Sequence, residues 1–121
     1  MPLELIVEPG LIRVTLYGVL SVQDLREVAA AAMELERTPP IPPRITDMTG
    51  VTDLQIAYPD VHRLAEQRRG LRFPNDFRSA IVVSGPAQLG MARMFQTLND
   101  NPQITIEIFT DAAQALTWVR G

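Results

Sequence analysis

The side chains best able to do chemistry crowd into one short stretch, where three carboxylates (Asp47, Asp53, Asp60), two hydroxyls (Thr49, Thr52), a phenol (Tyr58) and the sole imidazole (His62) follow one another. Carboxylates at the C-terminal end of a strand lie where open α/β sheets bind ligands, and three of them carry enough charge for a magnesium ion. Their spacing matches no recognised metal signature, so they are expected to cap or close turns, with no metal site. His62 has no Gly-x-Ser-x-Gly turn to partner it and reads as a helix-surface residue rather than a general base. Thr49 and Thr52 read in the same way, as turn and cap residues that satisfy backbone donors.

Composition removes further reaction classes. The chain has no cysteine and no lysine, all 11 basic side chains being arginine, which excludes thiolate nucleophiles, Schiff bases and a P-loop lysine. A net charge of −3 argues against nucleic acid as a partner. No cofactor is implied. Arg63, Arg68, Arg69 and Arg72 mark a basic stripe on or beside the second helix, expected to be a solvated face balanced by Glu66. Ser84-Gly85-Pro86 is a poor anion cradle because proline lacks an N–H. Met91, Met94 and Phe95 form an apolar stripe that core packing explains. With Leu71 and Phe73 they could instead cover an apolar ligand between the second and third helices, since thioethers suit adaptable surfaces.

The elements that position these residues follow from periodicity. A chain of 121 residues is one domain, residues 1–121, able to bury roughly two-thirds of its unfolded surface. Apolar runs are too short to cross a bilayer, and Met1-Pro2-Leu3-Glu4 lacks the basic n-region of a signal peptide, so the expected location is cytoplasmic. Leu3–Val7 and Leu11–Tyr17 alternate about Glu8-Pro9-Gly10 and read as a hairpin. Ser21 and Asp24 make a capping signal for a first helix carrying Leu25, Val28, Ala32 and Leu35 at helical spacing. Thr38-Pro39-Pro40-Ile41-Pro42-Pro43 is a stiff, extended connector. A third strand, Arg44–Met48, ends in the turn formers Thr49-Gly50, and the second helix runs from about Pro59 to Gly70. Phe77–Val83 is the most apolar strand and should be central. Gly85-Pro86 opens helix three, Asn99–Pro102 closes it, and Ile104–Phe109 leads to helix four with Asp111 and Gln114 spaced for a capping box.

Strands joined by helices imply a five-stranded, mainly parallel sheet with the first strand antiparallel at one edge. Ile12, Val14 and Leu16 alternate with Arg13 and Thr15, and Ile104, Ile106 and Ile108 with Thr105 and Glu107, so the outer strands should have one wet face. The strands are therefore expected in sequential order with most helices on one face, the opposite face being left for solvent or a partner.

This order resembles the SpoIIAA-like βα superhelix of the STAS domain family, which includes anti-sigma factor antagonists, sulphate-transporter domains and small stand-alone bacterial proteins. Gly18-Val19-Leu20-Ser21 resembles the family's glycine-led strand-to-helix step, and Asp47-Met48-Thr49-Gly50-Val51-Thr52 its Asp-Leu-Ser-Gly-Val-Thr strand end. Phe109-Thr110-Asp111 with Ala115, Leu116 and Trp118 is similar to its C-terminal segment. The resemblance implies a regulatory, non-enzymatic protein-interaction module binding through the loop Thr49 to Tyr58, with Asp47, Thr49, Gly50, Thr52, Asp53 and Tyr58 as contact or switch residues. In the antagonists a serine near this loop is phosphorylated; alignment puts that position near Ile56, which cannot accept phosphate. The other expectation is a carrier or membrane-surface module holding a lipid or small apolar ligand at Leu71, Phe73, Met91, Met94 and Phe95. An exposed edge strand also suggests a homodimer.

Overall fold

A computed structural model describes residues 3–121. Met1 and Pro2, part of the segment read for a leader, lie outside the described residues. The elements alternate as the periodicity requires: β1 (Leu3–Glu8), β2 (Leu11–Ser21), α1 (Val22–Leu35), β3 (Arg44–Gln55), α2 (Tyr58–Arg69), β4 (Phe77–Val82), α3 (Gly85–Leu98), β5 (Ile104–Phe109) and α4 (Ala112–Arg120). They build one sheet in the order β1-β2-β3-β4-β5, with β1 antiparallel to β2 and the remaining pairs parallel.

Local chemistry sets the boundaries. Gly10 turns the hairpin at φ 75°, a left-handed conformation that glycine adopts without a Cβ clash. Ser21 caps α1: the Asp24 N–H donates to Ser21 Oγ at 3.2 Å, and the Ser21 N–H donates to Asp24 Oδ2 at 2.8 Å. Asp60 accepts the Ala57 N–H at 2.8 Å and so closes the start of α2, while Asp111 accepts from the N–H groups of Ala113 and Gln114 at α4.

The sheet divides the core in two. On one face Ile12, Val14, Leu16, Phe77, Ile81 and Ile104 meet the inward sides of α1 and α3. On the other, Ile45, Ala80 and Val82 meet Ala115 and Val119 of α4. Thr105 is exposed between buried Ile104 and Ile106, and Glu107 between Ile106 and half-buried Ile108, the alternation expected of β5. The second face is thus not left wholly open, because α4 packs over β3 and β4 and leaves chiefly the β1–β2 side uncovered.

The proline connector is not extended throughout but bends over residues 38–40, and its Pro39–Pro40 peptide is cis. It is anchored instead by a side-chain clamp: Asn75 Oδ1 accepts the Ile41 N–H at 2.7 Å and Asn75 Nδ2 donates to the Ile41 carbonyl at 3.0 Å. Ile41 itself is buried in the core. Asn75→Ala should therefore cost about 1–3 kcal/mol, since it strands the polar groups of a buried residue. Urea unfolding measures this; a loss no larger than that of an exposed control such as Asn75's neighbour Asp76→Ala would show the clamp to be idle.

Candidate functional site

Two places in the molecule have the geometry of a site: a projecting strand pair, and a cavity beneath α1.

The first begins where β3 outruns the sheet. β3 pairs with β4 only from Arg44 to Asp47, yet it continues to Gln55 beside β2, with Gly50 opposite Tyr17, Val51 opposite Gly18 and Asp53 opposite Val19. The stretch read as a turn and loop, Thr49 to Gln55, is therefore strand. Thr49-Gly50 does not turn the chain because Gly50 lies tight against β2, where an added Cβ would stand 3.1 Å from the Tyr17 Cβ and 3.3 Å from the Leu16 carbonyl oxygen. Glycine permits that approach, and two register shifts, each with the extra residue on β3, let the pair continue, with Gly18 of β2 at φ 69° beside the second.

The resulting ribbon presents Thr49, Gly50, Thr52 and Asp53 to solvent, and Tyr58 follows at the start of α2 with 60% exposure. Tyr17 and Val19 are exposed on the neighbouring strand. The Asp47 carboxylate accepts from both the Thr49 N–H, at 2.8 Å, and the Thr49 hydroxyl, at 2.7 Å. Asp53 accepts from Gln55 Nε2 at 3.2 Å. These carboxylates fasten the ribbon locally, and among the described residues no group of acidic or histidine side chains could hold a metal ion. Behind the ribbon, buried Gln88 of α3 donates to the Val51 carbonyl at 3.1 Å and accepts the Ser84 N–H at 2.9 Å. His62 lies on the surface of α2, 4.0 Å from Glu66 and beside Tyr58.

The second place is a half-open cavity of about 130 Å³ lined by α1, α2, α3 and the sheet. Met91 and Phe95 line it; Leu71, Phe73 and Met94 are half-buried outside its lining. Its roof is α1, through Leu25, Val28, Ala32 and Leu35. None of the 14 residues of α1 is fully buried, although the helix has an apolar face: Val28 and Leu35 of that face pack against the core only in part, and the same face borders the cavity. Periodicity reports which face of a helix is apolar and not how far that face stands from the sheet.

At one end of the cavity lies a charge cluster that sequence reading missed. Glu36 Oε2 accepts from Arg44 Nη2 at 2.7 Å and from Arg68 Nη2, and Glu36 Oε1 accepts from Arg68 Nη1 at 3.1 Å. All three side chains are buried. Arg68 does not belong to the exposed stripe, since Val61, Ala65 and Arg68 share the inward face at i, i+4, i+7. That spacing, together with Arg44 in phase with inward-facing Met48, was the signal available. Burial pushes the Glu36 carboxyl up, but hydrogen bonds from Arg68 and the charges of Arg44 and Arg68 outweigh it and hold the pKa below the ordinary value. Burial pulls the Arg44 guanidinium down, against the opposing pull of Glu36.

No family model matches the sequence, and no curated protein matches it. Solved structures do match. An anti-sigma factor antagonist from Mycobacterium paratuberculosis superposes with a TM-score of 0.65 at 18% identity, over 98% of this chain and 93% of that one. A DUF3478-family protein from Shewanella loihica PV-4, described as having a SpoIIAA-like fold, superposes with a TM-score of 0.59 at 18% identity, over 97% and 91%. With the sequential five-stranded sheet, its single antiparallel pair and its four helices, these likenesses show that the chain has the SpoIIAA-like fold.

Proposed function

We propose that this domain is a non-enzymatic regulatory module that binds a partner protein through the β2–β3 ribbon and the first turn of α2. The observation that carries the reading is the free run of β3 beyond Asp47, which leaves β4 and offers exposed Thr49, Gly50, Thr52 and Asp53 beside Tyr58. The fold is shared with a protein named for antagonising an anti-sigma factor, which supports a role of the same kind. Asp47 and Asp53 call for a partner surface carrying basic side chains, and Tyr58 for an apolar recess, the aromatic type that anchors interfaces. The setting is cytoplasmic, and among the described residues no helix is long and apolar enough to cross a membrane.

A phosphate on Thr49 would place roughly −1.5 to −2 charges against Asp47. It would replace the bond between the two side chains by repulsion and so act to break the ribbon surface. Homodimerisation is also part of the proposal, through the edge strand β1, where Ile6 and Val7 are exposed.

The test is a titration of the purified partner against the wild type, the double variant Thr52→Arg/Tyr58→Ala, and Arg120→Ala as a control on the far helix. The double variant should bind at least about tenfold more weakly, the order expected when an interface anchor is lost, and the control should bind normally. Equal affinity for all three would remove the ribbon from the interface.

The cavity favours a second reading, a carrier of a small apolar ligand held beneath α1. Its largely apolar lining, drawn from three helices and the sheet, supports that role.

A further inference from the structure

Two strands carry a hydroxyl into the floor of the cavity. Ser79 of β4 stands between Phe77 and Ile81, Thr46 of β3 stands between Arg44 and Met48, and all of them line the space beneath α1. In the β3–β4 pairing Arg44 lies opposite Ser79 and Thr46 opposite Ile81, so Ser79 and Thr46 are diagonal neighbours on one face of adjoining strands. Ser79 is 8% exposed. Neither hydroxyl has a hydrogen-bond partner among the described residues, and neither is sealed: both oxygens keep accessible surface on side chains that border the cavity. The Arg44 Nε and the Asn99 amide, by contrast, are closed off from it, while Arg44 Nη2 and both Nη atoms of Arg68 are taken up by Glu36.

Strands covered on both faces are built of apolar side chains, and a buried hydroxyl in a folded protein is almost always bonded. Ser79 breaks both rules at a central strand. Valine or isoleucine at the two positions would fill space and need no partner, whereas two O–H groups side by side on an apolar floor are donors with nothing to donate to.

We infer that the cavity takes a small neutral ligand with a carbonyl oxygen on a compact apolar body, the oxygen accepting from Ser79 Oγ and Thr46 Oγ1 and the body lying under α1. This rests on the second reading, that of an apolar-ligand carrier, and names its ligand class. A carbonyl oxygen offers two lone pairs to two donors and brings no charge into the apolar lining. A hydrocarbon leaves both hydroxyls bare once it has displaced water from them. Size limits the rest of the ligand: a cavity of about 150 Å³ holds a benzene ring, so a space of about 130 Å³ suits a short alkyl chain or one ring.

The alternative is that water entering by the open side of the cavity satisfies the hydroxyls and no ligand is held. The experiment is an NMR titration of the full chain at pH 7 with cyclohexanone and with cyclohexane, which share a ring and differ by one oxygen, on the wild type, Ser79→Ala, Thr46→Val and the double variant. Each substitution takes away an unpaired hydroxyl and little else, so the variants should fold. Cyclohexanone should bind the wild type saturably, with shifts at Thr46, Ser79 and α1. The double variant should bind it at least about tenfold more weakly, the order for two hydrogen bonds lost, and should bind cyclohexane no more weakly than the wild type does. Each single variant should weaken cyclohexanone alone, which keeps the test decisive if the double variant does not fold. Equal changes for the two compounds, or a wild type that binds cyclohexane and not cyclohexanone, would overturn the carbonyl assignment and leave the apolar carrier standing. No saturable shift with either compound, the result that simple hydration of the hydroxyls gives, would overturn both.

Discussion

Glu36→Gln is expected to cost about 3–5 kcal/mol of folding stability, the loss found when one partner of a buried ion pair is removed and the opposite charge stays buried. Here the loss exposes two charges to each other, because Glu36 holds Arg44 and Arg68 together and nothing else among the described residues is ion-paired with either. The total stability of a domain is of order 5–15 kcal/mol, so the variant should lose a substantial share of it. The effect carries a pH signature. The folded-state pKa of Glu36 is depressed below its ordinary value of 4.5. Its stabilising contribution is therefore complete above that value and is lost as the pH falls through the lower folded pKa. Urea unfolding at pH 7 should show the full difference between wild type and Glu36→Gln, and the difference should shrink in acid as the wild-type carboxylate takes up its proton. A difference constant from pH 7 into the acid range would mean that charge is not what the cluster contributes.

Leu20→Ala should cost about 2–5 kcal/mol, the range for removing a fully buried leucine. Leu20 is 1% exposed, opposes Leu54 in the ribbon and borders the cavity, so its loss both loosens the β2–β3 pairing and enlarges a space already present. The informative comparison is Ala32→Leu, on the cavity side of α1, which adds carbon atoms where there is room for them. In a packed core such a change strains the structure by about 1–3 kcal/mol. Beneath α1 it should be neutral or stabilising, and it should abolish binding of any apolar ligand. Urea midpoints for the two variants check both statements, and a destabilised Ala32→Leu would show that the space under α1 is already filled by packing.

Much of the architecture was legible because it rests on short-range chemistry. The Ser21–Asp24 capping box, the Gly10 turn and the alternation of Ile104, Ile106 and Ile108 with polar residues each report a local rule, and the sequential sheet order follows from the helices that separate the strands. The ribbon was not legible. Thr49-Gly50 is a turn signal in isolation, and only the close passage of β2, which needs a glycine at position 50, turns the same pair into continuing strand. The loop expected from Thr49 to Tyr58 thus became mostly strand, although its polar residues remain exposed. The charge cluster was hidden for a related reason: Glu36, Arg44 and Arg68 lie on three separate segments, Arg68 32 residues from Glu36, so each looks like a solvated charge until the fold brings them together. Arg68 was nevertheless marked by its place on the inward face of α2. The cavity left no trace in periodicity, because a helix that roofs an open space and one that packs on a core share the same apolar stripe.

Hydrogen exchange of the chain, free and in complex with a protein partner of the kind proposed, is the most direct test of the central claim, since amide protection maps a contact without substitutions that alter the fold. The account predicts slowed exchange at the amides from Thr49 through the first turn of α2, with α4 and β5 unchanged. Protection on α4 or β5, with the ribbon exchanging as fast in the complex as in the free chain, would contradict it.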